Sequence, residues 1–260
     1  MKIRSIVIII GLLITVNSSS QNVFKPPQEI GIYERLDSVL PDNIQLINQD
    51  SLPVNLKSLI NKPTVISFVY YECPGLCSPL LNGLAEVIDK AQLELGKEYQ
   101  VITISFNYQD TPRLGKKKKK NYVASIKRKI DESQWIWLTG DSVNIRKITD
   151  ATGFKYKREG KEFLHPASII VVSPNSKITR YLYGTEYLPF DLKMAVIEAS
   201  EEKAMPTISK LLKFCFNYNS ESKKYLFNVT SISGSFIILL VLIFLFTVLL
   251  KKKPIKINKV

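Results

Sequence analysis

The chain has 260 residues, 45% of them hydrophobic, and a formal charge of +13 at pH 7. That length suits one good-sized domain plus attachments, and the apolar share fits a globular core with an added membrane segment. The charge excludes a nucleic-acid role by its distribution: residues 1–20 hold +2 and residues 251–260 hold +5, leaving +6, of which Lys116–Lys120 supplies five.

In chain order, Lys2 and Arg4 precede the apolar run Ser5–Val16 and then small polar residues. This is the layout of a secretory signal peptide over 1–20, too short to span a bilayer comfortably. An uncleaved N-terminal anchor is the alternative. Residues 21–42, with Pro26, Pro27 and Pro41, read as an extended segment. Ile44, Leu46 and Ile47 suggest an outer strand, and Asn55–Ile60 a helical turn. Thr64–Tyr70 is a continuous apolar run rich in β-branched and aromatic residues, the pattern of a central strand buried on both faces.

Pro79 fits the first turn of a helix, and Leu80, Leu81, Leu84, Val87, Ile88, Ala91 and Leu95 follow at helical spacing, with Gly96 as the stop. Val101–Phe106 reads as a second buried strand, Gly115–Ile130 as a basic helix, and Trp135–Leu138 as a third strand. Asp141 caps a helix that runs to about Ala151 and closes at Gly153. Ser168–Val172 and Ile178–Tyr183 form a hairpin about Ser173-Pro174-Asn175-Ser176, and Asp191–Glu202 is a last amphipathic helix. Residues 203–230 form a polar linker. Ile232–Leu250 is almost wholly apolar and uncharged, a transmembrane helix over 231–250. The lysines of 251–260 place that tail in the cytoplasm and residues 21–230 on the opposite, oxidising side. The order of elements predicts a three-layer α/β/α domain over 43–202, with the thioredoxin-like fold as its candidate form.

Cys73 and Cys77 lie between the first central strand and the helix after it. A helix N-terminus favours the thiolate, the form that binds soft metals and attacks disulfides. A thioredoxin-type redox motif has two residues between its cysteines; here there are three, Pro74-Gly75-Leu76. The wider pair suits two thiolates on one metal ion, and a plain structural disulfide is the alternative. Cys215 is left without a partner if those two pair. His165, the single histidine, precedes the strand Ser168–Val172 and can approach the cysteine corner; otherwise it is structural. Two thiolates and one imidazole favour Cu(I), whereas structural zinc normally takes four protein ligands. Asp110 follows the second central strand and either reaches the same end of the sheet or caps the helix before Pro112. Lys116–Lys120 is a solvated face or a docking point for an acidic partner or anionic head groups.

The series Cys73-Pro74-Gly75-Leu76-Cys77, Asp110-Thr111-Pro112, Trp137-Leu138-Thr139-Gly140 and His165 before a Ser-Pro-Asn turn resembles the Sco/SenC family over about residues 40–200. Arg180-Tyr181-Leu182-Tyr183-Gly184, with Leu211–Tyr218, resembles a bacterial branch of it. The resemblance implies a thioredoxin-like, membrane-tethered copper protein that helps assemble the dinuclear copper centre of cytochrome c oxidase subunit II. Cys73, Cys77 and His165 would then be the ligands for copper, as Cu(I) or Cu(II), and Asp110 a nearby conformational or docking residue. A metallochaperone in a bacterial inner membrane follows, with a periplasmic domain, a cytoplasmic C-terminus and a thiol-reducing, thioredoxin-like partner that keeps the cysteines reduced. The alternative is a thiol–disulfide oxidoreductase using Cys73 and Cys77 as its catalytic pair; a copper or redox sensor, or a structural assembly factor, is a third reading. The chain departs from many members in Ser78, which intervenes before Pro79, in its C-terminal anchor, and in the lysine run after Asp110-Thr111-Pro112.

Overall fold

The computed structural model describes residues 30–205, together with two short strands at 216–219 and 224–227. The signal peptide expected over 1–20, the transmembrane helix expected over 231–250, the basic tail and Cys215 lie outside the described residues. Among the described residues no helix is long and apolar enough to cross a membrane.

The chain opens with β1 (Gly31–Ile32), β2 (Gln45–Asn48), β3 (Pro53–Asn55) and α1 (Leu56–Leu59). The central unit is β4 (Thr64–Val69), α2 (Cys77–Lys90), β5 (Gln100–Ser105), α3 (Pro112–Val123) and β6 (Trp135–Thr139). Then come α4 (Ser142–Ala151), β7 (Phe154–Lys155), β8 (Lys157–Glu159), β9 (Glu162–Leu164), β10 (Ser168–Val172), β11 (Ile178–Tyr183) and α5 (Pro189–Ser200). β12 (Phe216–Asn219) and β13 (Lys224–Phe227) pair antiparallel with each other inside the stretch read as a linker.

Seven strands make one mixed sheet in the order β11-β10-β4-β5-β6-β2-β3. β4, β5 and β6 run parallel, joined by the crossovers α2 and α3; β10 pairs antiparallel with β4, and β2 antiparallel with β6. Every residue of β4 and β5 is buried, which is why their sequences are apolar without alternation. The register assigns the two faces. Ser67 lies opposite Thr103 and Thr103 opposite Trp137, and Trp137 stacks on Tyr122 of α3 at 5.9 Å between centroids. That face meets the layer of α3, α2 and α5, since α2 packs on both of the others. Phe68 points the other way and meets Phe154 of β7 at 4.8 Å. The result is the expected three-layer α/β/α arrangement. Ser67, Thr103 and Trp135 pair their polar groups between the strands: Ser67 and Thr103 share a hydrogen bond of 2.8 Å, and the Trp135 indole N–H donates to Thr103 at 2.9 Å.

Helix boundaries differ from the sequence expectation: the last helix spans Pro189–Ser200 rather than Asp191–Glu202, and α2 and α3 shift further. α2 stops at Lys90 rather than near Gly96. The Arg128 guanidinium donates to the carbonyls of Ala91 and Leu93 at 3.0 and 2.6 Å, so those acceptors are satisfied outside a helix. α3 begins at Pro112 because the Thr111 hydroxyl accepts from the Leu114 N–H at 3.3 Å, and it ends at Val123, short of Ile130. The β8–β9 hairpin before His165 is an element the sequence reading does not include. Its turn uses Gly160 at φ +62°, a conformation that favours glycine. Asp141 caps α4 as expected, accepting from Val143 and Asn144.

Candidate metal centre

Strand direction brings the distant residues together. β4 ends at Val69, and the chain turns through Tyr70–Leu76 into α2. β10 runs antiparallel to β4, with Ile169 opposite Ser67, so its start lies beside the end of β4. The residues just before β10, including His165, therefore sit over the cysteine loop. β5 runs parallel to β4, so its C-terminal end, and Asp110 after it, arrives at the same edge.

Cys77 is the first residue of α2, whose N-cap, Leu76, offers no side-chain acceptor. The Cys73 sulfur fills that place, accepting the Cys77 N–H at 3.4 Å. The Cys77 sulfur accepts from the Tyr70 N–H at 3.5 Å and lies 3.4 Å from Nε2 of His165. Both cysteines are free thiols; Cys77 is buried and Cys73 half-buried. One donor atom from each of Cys73, Cys77 and His165 falls within 4.8 Å of the other two. His165 Nδ1–H donates to the Pro166 carbonyl at 3.0 Å. A carbonyl can only accept, so this bond fixes the tautomer and leaves the Nε2 lone pair facing the sulfurs, as in many metal-bound histidines.

Electrostatics separate the two thiols. Burial opposes a thiolate at Cys73, but hydrogen bonds from the Cys77 N–H, the Cys77 thiol, the Tyr70 hydroxyl and the Gly75 N–H outweigh it and lower the pKa. Cys77 is pushed well above the ordinary thiol value, by burial first and by its neighbour Cys73 next. Burial also lowers the pKa of His165, so the ring favours its neutral form. The burial is aromatic: Phe106 and Tyr70 lie 5.2 and 6.0 Å from the imidazole, and Phe163 packs on both.

Asp110 stands at this edge as a brace. Its Oδ2 accepts from the Tyr71 N–H and the Ser105 hydroxyl, each at 2.6 Å, and its Oδ1 accepts from Asn107 at 3.1 Å. It ties the start of the cysteine loop to the end of β5. Thr111, not Asp110, is the helix cap. Sequence reasoning missed Tyr70 and its aromatic neighbours as parts of the site. The available signal was an aromatic residue at the strand end three positions before Cys73. An open depression of about 280 Å³, lined by Tyr70, Cys73, Gly75, Phe163 and His165 among others, leads from solvent to Cys73 and His165.

The SCO1/SenC family profile matches residues 36–197. A SCO1 protein homolog of Bacillus subtilis is 28% identical over 149 residues, 55% of this chain and 74% of that protein. A crystal structure of a putative electron transfer protein from Aquifex aeolicus is 30% identical, with a TM-score of 0.58 over 64% of this chain and 95% of that one. Arabidopsis thaliana ScoI, crystallised with copper bound, is 23% identical with a TM-score of 0.51, over 61% of this chain and 96% of its own; that likeness concerns the fold.

Proposed function

Because the chain belongs to the SCO1/SenC family, we propose that it is a membrane-tethered copper chaperone. Cys73, Cys77 and His165 hold one Cu(I) ion and pass it to subunit II of cytochrome c oxidase while the dinuclear copper centre is assembled. The observation that carries this reading is the convergence of two sulfurs and one imidazole nitrogen within 4.8 Å, at one lip of the sheet. An ion with bonds of about 2.0–2.3 Å needs donors at near that spacing. Thiolate and imidazole are soft to borderline donors, which suit Cu(I). No other His, Cys, Asp or Glu joins the cluster among the described residues. Both oxygens of Asp110 are engaged elsewhere, so the four-ligand set of structural zinc is incomplete.

The same features support transfer over storage. Cys73 is half-buried and opens on a depression that an acceptor can enter. Acceptor thiols can displace Cys73 first, then His165, leaving buried Cys77 as the last donor. Loading deprotonates Cys77, so uptake releases protons. An oxidising compartment would close the two cysteines into a disulfide, so a thiol-reducing, thioredoxin-like partner belongs to the cycle. The signal-like leader, the apolar run and the lysine tail support an inner-membrane site in a bacterium, with this domain in the periplasm. Anaerobic Cu(I) titration against a chromophoric chelator tests the reading. One ion is expected per reduced chain, and Cys73→Ser, Cys77→Ser and His165→Ala should each weaken binding at least tenfold. Unchanged affinity in His165→Ala would sink the three-ligand site.

The unequal thiols favour a second reading, a thiol–disulfide oxidoreductase with Cys73 as nucleophile and Cys77 as resolving thiol. Cys77→Ser would then trap a mixed disulfide with the acceptor, and His165→Ala would leave the exchange rate unchanged.

A further inference from the structure

α3 carries Arg113 and Lys116–Lys120 and no acidic residue. The helix sorts these cations onto different sides. Lys116 pairs with Asp50 at 2.8 Å, and Lys119, three residues on, lies in the field of Glu132, Asp50 and Asp131. Those two are compensated. Arg113, Lys117 and Lys118 form no ion pair among the described residues.

Two adjoining depressions follow the uncompensated side. One, of about 520 Å³, is lined by Arg113 and Lys117 with Asn107 and Gln109; the other, of about 460 Å³, by Lys117 and Lys118 with Asn121 and Cys73 itself. They share Glu72, Leu114 and Lys117, so one trough leads along α3 to the half-buried Cys73. Against three cations the lining sets Glu72 and Asp110, and both oxygens of Asp110 are already taken.

We propose that this trough is the docking surface for an acidic segment of the protein that exchanges metal or disulfide with Cys73. The inference rests on Cys73 as the point of exchange and adds the chemistry of what approaches it. A cationic channel ending at a thiol raises the local concentration of anionic partners and orients them on encounter. A lipid surface fits less well. Membrane-lying faces pair cations with exposed Trp, Phe or Leu, and the only large apolar side chain in this lining is Leu114.

The test uses the reduced full chain in non-ionic detergent and two oxidised peptides with the same Cys-x-x-x-Cys disulfide, one flanked by Asp and Glu, the other by Lys. The Cys73 thiolate attacks one peptide sulfur, forms a mixed disulfide and expels the other peptide thiolate. Cys77 then attacks the Cys73 sulfur and releases the second, leaving a Cys73–Cys77 disulfide. Two electrons pass to the peptide, and the protons lost by the two cysteines are taken up by its thiolates. The acid-flanked peptide should react about tenfold faster at low salt, an advantage lost near 0.5 M salt. R113E/K117E/K118E should invert the preference while its Cu(I) titration matches the parent's. Should that variant fail to unfold cooperatively on heating, R113Q/K117Q should abolish the preference instead. An acid preference that survives in either folded variant overturns the proposal. So does a parent without preference that binds phosphatidylserine vesicles, which would assign the cations to a membrane. Failure of Cu(I) binding in parent and variants alike would count against the chaperone reading and leave the peptide preference to be read on its own.

Discussion

Cys73 and Cys77 are four residues apart, yet their surroundings move them in opposite directions. Cys73 gathers N–H and O–H donors at the start of α2, which lower its pKa against the opposing effect of burial, while burial raises Cys77. A lowered pKa means the thiolate is populated at lower pH, so Cys73 should alkylate first. Iodoacetamide at neutral pH, followed by peptide mass mapping of the metal-free reduced chain, should modify Cys73 well before Cys77. Equal rates would mean the donors around Cys73 do not act on it. Asp110 makes a second residue-level case. Removing it strands the Tyr71 N–H and the Ser105 hydroxyl, so Asp110→Ala should cost about 1–3 kcal/mol in urea unfolding. The variant should still bind one Cu(I), because Asp110 contributes no donor to the centre; lost stoichiometry with intact folding would make it a ligand after all. The three donors were legible in the sequence because thiols beside a helix start, and a histidine with no rival, carry chemistry by residue type. Their setting was not, because Tyr70, Phe106 and Phe163 look like ordinary core residues until the fold closes them around His165.

Elements were legible where burial leaves a pattern. β4, β5, β6, β10 and β11 are buried almost throughout, so apolar runs of strand length identify them. The β8–β9 hairpin escaped because its residues are mostly charged and exposed, so no periodicity marks it. The end of α2 escaped because a distant group sets it, Arg128 taking the carbonyls beyond Lys90, whereas the start of α3 is set locally by the Thr111 hydroxyl, next to the Asp110 that offered itself as the cap. α2 also depends on a close approach that no propensity reveals. A Cβ on Gly83 would lie 1.8 Å from the Thr185 carbonyl oxygen, so the segment after β11 rests directly on the helix that presents Cys77. Gly83→Ala gains helix propensity of about 1 kcal/mol and still should lose stability, because overpacking against backbone costs about 1–3 kcal/mol or more. Chemical denaturation should show a net loss; a gain would mean the 185–188 segment moves away freely.

At the scale of the whole chain, the candidate metal centre and the proposed anchor impose separate demands. The centre lies at the end of β4 where β5 also ends and β10 begins, with Cys73 at the lip, so an acceptor must reach that edge of the sheet. The apolar run 231–250 and the lysines after it would fix the chain to a bilayer with the domain on the face opposite the tail. Reversed, the same domain would meet a reducing compartment and no maturing copper centre, so the chaperone reading stands or falls with the orientation. A membrane-impermeant maleimide distinguishes the two arrangements. Applied to reductant-treated spheroplasts with Cys215→Ser as the background, it should label the Cys73 chain strongly and the added Cys73→Ser weakly, since Cys77 is buried and its thiolate disfavoured. Inside-out vesicles should leave Cys73 unlabelled until detergent is added. Labelling in closed inside-out vesicles and protection in spheroplasts would place the domain in the cytoplasm. Copper delivery to an external oxidase site would then be untenable for this chain, however well the isolated centre binds the ion.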